Sequence, residues 1–216
     1  MSLDQGPEAL VRASRAHGVR DPRLLEAIRT IPRAAFVPPQ HVGRAYMDAP
    51  VPIAHDQVTT QPSLVAAMID ALGIDQDDLV LEVGTGLGWQ TALLARMARE
   101  VVSIERWPAL AEAAREHLRR AGIDNAEVVV GDGSEGWAER APYDEVLVSA
   151  AFPEVPPPLS EQLAEAGRLV MPIGTGGSEH VVLFEKGPEG LRAVRTVTDA
   201  SFVRLFGTHG FRAEHP

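Results

Sequence analysis

Cysteine is absent from this 216-residue chain. Disulfides, thiolate metal sites and cysteine nucleophiles are excluded with it. Basic residues are the minority: 20 Lys and Arg stand against 30 Asp and Glu, a formal net charge of -10. A protein held on nucleic acid by phosphate contacts needs a dense basic surface, so this balance argues against that class. No apolar run approaches the roughly 20 residues needed to span a bilayer, and no membrane partner is expected. The opening stretch, MSLDQGPEAL, has neither a basic start nor an apolar centre and does not read as a signal peptide. Repeats and low-complexity tracts are lacking too. What remains is ample for a core: hydrophobic residues make up 45% of the chain and charged residues 23%. One compact cytoplasmic domain is expected, with the oligomeric state left open.

Residues 1–61 read differently from the rest. Segments 7–17 and 22–31 are helical by composition and spacing. Asp21-Pro22 predicts a helix start, with aspartate as cap and proline in the first turn. Prolines then recur at 32, 38, 39, 50, 52 and 62, and the stretch between the first and the last reads as a long loop. After Pro62 the pattern turns regular. A helix is predicted over 63–72, with Leu64, Met68, Ala71 and Leu72 on one face and Gly73 ending it. An apolar strand at 79–83 runs into Gly84-Thr85-Gly86-Leu87-Gly88. A helix at 89–98, a strand at 101–105, a helix at 108–121 and strands at 127–130 and 145–149 follow. Beyond them the pattern predicts a helix at 159–166 ended by Gly167, then strands at 168–173, 181–185 and about 201–206.

Short apolar strands alternating with helices indicate a parallel sheet covered on both faces. Right-handed crossovers make it a doubly wound α/β fold, with the late strands as an edge hairpin. The expected division is 1–61, helices and a substrate-side loop packed on the core, and 62–216, the core itself.

In such sheets ligands bind at the C-terminal ends of the strands, where strand order reverses. Gly84, Thr85, Gly86 and Gly88 occupy that place. Glycines let backbone N–H groups approach a ligand, although tight strand-to-helix turns also use glycine for structural reasons. Three acids sharpen the reading. Glu82 lies two residues before Gly84, Glu105 ends the second strand, and Asp132, next to Gly133, ends the third. All three are expected to converge on one rim. Glu105 suits two ribose hydroxyls, Asp132 the exocyclic amine of adenine, and Glu82 an ammonium group. A dinucleotide site uses G-x-G-x-x-G and seats a pyrophosphate over the helix start. Here the spacing is G-x-G-x-G with a carboxylate just ahead, which favours S-adenosylmethionine. The histidines at 17, 41, 55, 117, 180, 209 and 215 show no ligand spacing, so no metal is expected. His117 reads as a core or interface histidine and His55 as a solvated loop residue. Trp89 suits either the cofactor or the core.

The segment Leu81-Glu82-Val83-Gly84-Thr85-Gly86-Leu87-Gly88 resembles the first motif of class I methyltransferases. More narrowly, the chain resembles the protein-L-isoaspartate O-methyltransferase family from about Arg33 to Phe211. The matching pieces are 33–38, 45–46, 50–53, 57–62, 130–133, 141–144, 167–170 and 207–211; residues 51–62 are the most specific. The resemblance implies a Rossmann-like methyltransferase sheet with N-terminal helices and rearranged late strands. It implies S-adenosylmethionine as cofactor and damaged proteins and peptides as partners. The implied activity is esterification of the free α-carboxylate of isoaspartyl residues, a repair step.

The family segment reads roughly Gly-Gln-Thr-(Ile/Val)-Ser. This chain has Asp56-Gln57-Val58-Thr59-Thr60, so Thr60 stands at the serine of the transfer site. Val58 replaces a hydroxyl residue, Ser63 stands where many members have histidine, and Arg204 takes a usual proline position. A carboxylate nucleophile is ionised near neutral pH and needs no general base. It needs donors that hold it without neutralising it. Thr60, with Thr59 and Gln57 beside it, is expected to supply them; the plainer reading is that Thr60 only caps the helix starting near Pro62. Also open are another peptide carboxylate as acceptor, a silent cofactor-binding module and, disfavoured by Glu82, a nicotinamide oxidoreductase.

Overall fold

A computed structural model of the chain describes residues 6–175 and 177–212. The first five residues of the stretch read against a signal peptide, and His215, lie outside the described residues. Helices α1 (Pro7–Ala16) and α2 (Pro22–Thr30) both begin on proline, whose fixed φ suits a first turn. Asp21 caps α2, its side chain accepting the Arg23 backbone N–H at 2.7 Å. The proline-rich loop holds two 3₁₀ turns, Arg33–Phe36 and Pro39–Arg44, and a small hairpin of β1 (Val51–Pro52) and β2 (Val58–Thr59).

Helix α3 (Pro62–Leu72) departs from the single apolar face expected for it. Every residue except the half-buried Asp70 is buried. The helix is wedged between α1 and the sheet, so both its sides meet apolar partners.

The core then alternates as β3 (Leu79–Val83), α4 (Trp89–Met97), β4 (Glu100–Glu105), α5 (Pro108–Arg120), β5 (Ala126–Val130) and β6 (Tyr143–Val148). α6 (Pro157–Glu161), β7 (Leu163–Ile173), β8 (Glu179–Gly187) and β9 (Gly190–Ala200) complete it. The seven strands lie in the order β5-β4-β3-β6-β7-β8-β9. The first five are parallel; β8 runs antiparallel to both its neighbours. Strand order reverses at β3, so its C-terminal end is the switch point.

Side chains alternate across the sheet with period two. Val80, Val101, Leu147 and Val170 join the cluster that includes α1 to α5. Leu81, Val83, Ile104 and Val146 join the opposite cluster, closed by Leu159 of α6, Trp137 and Leu205. The same alternation turns Glu82 toward the helices. Among the described residues no helix is long and apolar enough to cross a membrane.

Two predicted elements need correction. The helix at 159–166 stops at Glu161, and Leu163 already pairs with Tyr143 in β7. The run Leu-Ala-Glu-Ala favours helix, but strand pairing overrides it through a bulge, with Ala166 at φ 63. The strand at 201–206 is an irregular segment with isolated bridges at Arg204 and Phe206. The true last strand, β9, escaped notice because nearly all its side chains are exposed or half-exposed, so apolar alternation is lacking. Register shifts interrupt its pairing at Val181/Val182 and Leu183/Phe184.

Gly73 ends α3 in the left-handed region, φ 68, as its position predicts. A Cβ there would lie 2.7 Å from Arg168 Nη1, which donates to the Leu72 carbonyl. Gly73→Ala is expected to destabilise the fold by about 1–2 kcal/mol, read as a lower urea midpoint at unchanged m-value.

Candidate active site

A cavity opens at the C-terminal end of β3, between the glycine loop and the β1–β2 hairpin. Gly84, Gly86 and Gly88 all sit at positive φ (99, 56 and 90), where L side chains are strained. The Gly84 and Thr85 N–H groups donate to Ile104 O, which folds the loop back over β4. Gly133 closes the far wall; a Cβ there would stand 2.3 Å from a methyl of Val83. All five of the glycine-loop and Gly133 residues named from the sequence line the cavity.

The acids depart from the expected convergence: only Glu105 lines the cavity. Its two oxygens accept the N–H groups of Gly86, at 2.9 Å, and Trp107, at 3.0 Å. The Arg106 N–H adds a further backbone interaction, and the carboxylate still borders the open cavity. Burial raises the Glu105 pKa, and the backbone N–H groups of Trp107 and Gly86 oppose that rise. Glu82 lies fully buried beneath the loop. Its oxygens accept from Gln90 Nε2, Thr91 Oγ1 and Ser103 Oγ. Burial pushes its pKa up to about 7 against the pull of these donors. Asp132 is turned to the C-terminal segment. It caps the 3₁₀ turn Gly133–Glu135 through Ser134 and accepts the Thr208 N–H at 2.6 Å. The three acids therefore meet at one end of the sheet as one facing group and two supporting ones.

The hairpin supplies the opposite wall. Gln57, Thr59 and Thr60 all line the cavity. Thr60 also lines an adjoining groove formed with Pro50, Gln61 and residues 198–203, so it stands where the two spaces meet. The helix-capping role considered for Thr60 falls elsewhere. Gln61 is the N-cap of α3 and makes no side-chain cap, while Asp48 accepts the Ser63 N–H at 2.8 Å. Asp48 also accepts from Ser63 Oγ and Gln61 Nε2. Gln57 Nε2 donates one hydrogen bond to the His55 carbonyl at 2.9 Å, which anchors its amide beside the cavity.

Several contributors escaped the sequence reading. Arg33 is buried, 1% exposed, and its guanidinium donates to Ala45 O, Thr59 Oγ1 and other groups of the loop. Burial lowers its pKa to about 10, partly offset by Asp48. Trp107 lines the cavity with its Nε1–H buried and without a partner among the described residues. His55 stacks flat on that indole, ring centroids 4.1 Å apart. Ser103, a polar residue inside an apolar strand, was a readable signal; Arg33 had none. His117 bonds Leu87 O and meets Phe36 edge-on, a structural role, whereas Trp89 both lines the cavity and reaches Ile31 O. Among the described residues no cluster of His, Asp and Glu is placed to hold a metal.

The donor set fits an adenosyl cofactor. Glu105 presents an acid at the cavity wall, the glycines leave the loop backbone open, and the orphaned Trp107 N–H seeks an acceptor. A mostly parallel seven-stranded sheet with this loop at the switch point and an acid ending the next strand defines a class I methyltransferase fold. The protein-L-isoaspartate(D-aspartate) O-methyltransferase profile matches residues 5–210, and the chain belongs to that family. The chain is similar to a protein-L-isoaspartate O-methyltransferase of Anaeromyxobacter dehalogenans, 49% identical over 190 residues, 87% of this chain and 91% of that one. It is 46% identical over 194 residues to the enzyme of the same name from Methanoregula boonei, covering 90% and 89%. A solved protein-L-isoaspartate O-methyltransferase superposes with a TM-score of 0.79 at 29% identity, covering 94% of this chain and 67% of that one. A Plasmodium falciparum structure described under the same activity, solved with S-adenosyl-L-homocysteine, shares the fold: TM-score 0.79, 21% identity, coverage 93% and 98%.

The raised Glu82 pKa has a consequence for stability. Folding favours the neutral carboxyl, so its contribution is full below the unfolded value of 4.5 and is lost as pH rises through about 7. Glu145, buried with its pKa raised to about 9, acts in the same direction. The unfolding free energy is therefore expected to fall between pH 5 and 7. Glu82→Gln should make that fall shallower in urea titrations run across the interval.

Proposed function

We propose that the cavity and its adjoining groove form one transfer site, with Thr60 at their junction holding the acceptor. The enzyme methylates the free α-carboxylate of L-isoaspartyl residues in proteins and peptides, giving a methyl ester. When bound, S-adenosylmethionine supplies an electrophilic methyl group on sulfur. The chain's own work is orientation. Glu105 would accept the ribose hydroxyls, and the backbone of residues 84–88 and 133 would leave room for the rest of the cofactor. Glu82 acts one layer back, aligning Gln90, Thr91 and Ser103 under the loop, and Asp132 secures the C-terminal turn at the rim.

The acceptor needs no base, because a carboxylate is already ionised at neutral pH. It needs hydroxyl and N–H donors that point at it and fix its line of approach. Thr60 and Thr59 provide hydroxyls on the correct wall, and the groove beyond Thr60 offers space for the flanking polypeptide. The observation that carries this reading is the position of Thr60, shared by both spaces. The extra methyl of threonine, relative to a serine, narrows the passage there.

The direct test uses labelled S-adenosylmethionine and matched peptides holding aspartate or isoaspartate, with base-labile methyl ester as readout. Selective labelling of the isoaspartyl peptide is expected. Labelling of aspartate alone would move the activity to another carboxylate. In the same assay Thr60→Val is expected to lower kcat/KM for the isoaspartyl peptide by about ten- to a hundredfold, the worth of a hydrogen bond to a charged group. Thr60→Ser should retain activity, and cofactor affinity should hold within about twofold in both. Unchanged kcat/KM in Thr60→Val would remove Thr60 from its role.

A further inference from the structure

Arg33 is the largest buried side chain of the loop wall, and none of its hydrogen-bond partners is a carboxylate. Nη1 donates to Ala45 O at 2.9 Å and Met47 O at 3.4 Å. Nη2 donates to Ala49 O at 3.3 Å, Thr59 Oγ1 at 2.8 Å and Thr60 O at 3.5 Å. One guanidinium thus ties together a segment reaching from Ala45 to Thr60. The nearest acid, Asp48, spends its oxygens on Gln61 and Ser63. A buried charge whose hydrogen bonds all go to neutral groups, offset only by nearby Asp48 and by the Trp89 ring 5.5 Å away, is costly, so its retention here calls for a reason.

The Thr59 hydroxyl supplies one. A hydroxyl has two lone pairs and one proton. Thr59 Oγ1 accepts from Arg33 Nη2 and from the Val51 N–H at 3.2 Å. Both lone pairs are therefore occupied, and only the proton is left to offer. Thr59 lines the cavity, so this proton is available there. Arg33 also accounts for the Thr60 carbonyl, an acceptor that would repel an anion if it were free to turn inward.

We propose that Arg33 is a positioning residue for the acceptor carboxylate, locking Thr59 as a hydrogen-bond donor and engaging the Thr60 carbonyl. The proposal rests on the transfer-site reading above. It makes the hairpin wall an environment selective for anions: one obligate donor, the Thr60 hydroxyl beside it, and a buried positive charge without a carboxylate hydrogen-bond partner behind both. A neutral amide of the same shape gains nothing from that charge.

The test is a double-mutant cycle on the full-length chain with Arg33→Lys, Thr59→Val and the combined variant. KM for an isoaspartyl peptide, KM for S-adenosylmethionine, kcat and the thermal midpoint are measured for each. Arg33→Lys keeps the charge but loses the fork that reaches Thr59 and the carbonyls together. It is expected to raise peptide KM by about tenfold while cofactor KM stays within about twofold. The double variant should be worse than Thr59→Val alone by clearly less than Arg33→Lys costs the wild type, because the Thr59 bond is shared by both changes and the Thr60 carbonyl contact is not. Additive effects, or equal rises in both KM values, would assign Arg33 a general structural role and overturn the proposal. Should Arg33→Lys fail to fold, Thr59→Ser against Thr59→Val decides. The serine is expected to keep native peptide KM and the valine to lose it; equal values overturn the proposal. Wild-type activity separates the two readings. An isoaspartyl peptide left unmethylated by the wild type sinks the transfer-site reading and this proposal with it, whereas a failed cycle on an active wild type sinks this proposal alone.

Discussion

The buried carboxylate of Glu82 is the joint on which the site is assembled. It sits on the strand where the sheet changes direction and collects donors from α4 (Gln90 and Thr91) and from β4 (Ser103). Ser103 in turn meets Thr85, and Gln90 reaches Ser149 at the end of β6. Three neighbouring strands and one helix are therefore held in register by a single side chain and its partners. A carboxylate so deeply buried is tolerated only because every donor is in place, which makes the arrangement all-or-none. The loop above it inherits that rigidity and can present its backbone without help from side chains.

The charges around the cavity are held by different means, with Glu105 and Arg106 on the sheet side and Arg33 behind the hairpin. On the sheet side Glu105 faces inward, held by two backbone N–H groups. On the hairpin side Arg33 lies behind the threonines, solvated by carbonyls instead of water. Such an arrangement lowers the reorganisation needed when charge is neutralised during transfer.

Most of the fold was legible because burial and periodicity coincide in it. The strands over 79–83 and 101–105 are short apolar runs, and the glycines that follow the first announce the switch point. Legibility failed where pairing, not composition, decided the structure. Residues 163–166 have helical composition but join a sheet, and β9 has too little apolar content to declare itself. The site divides the same way. Glu105 is readable because it ends a strand beside a glycine loop. The direction of Glu82 was readable too, since period two sets it opposite Leu81 and Val83, and its expected place under the loop agrees with its full burial there. Arg33 could not be read: its partners are mostly backbone carbonyls 12 to 27 residues later, which leave no mark in residue type. The Asp132 to Thr208 contact spans 76 positions and is equally silent.

Among the described residues β9 pairs with β8 on one side only, so a row of backbone groups is left facing outward. Open edges of that kind invite a second sheet to zip on, the first step toward aggregation. Here two slips in register twist the strand, and Arg192, Arg195 and Asp199 stud it with charge. The border of the sheet thus carries features that discourage a further strand from adding to it.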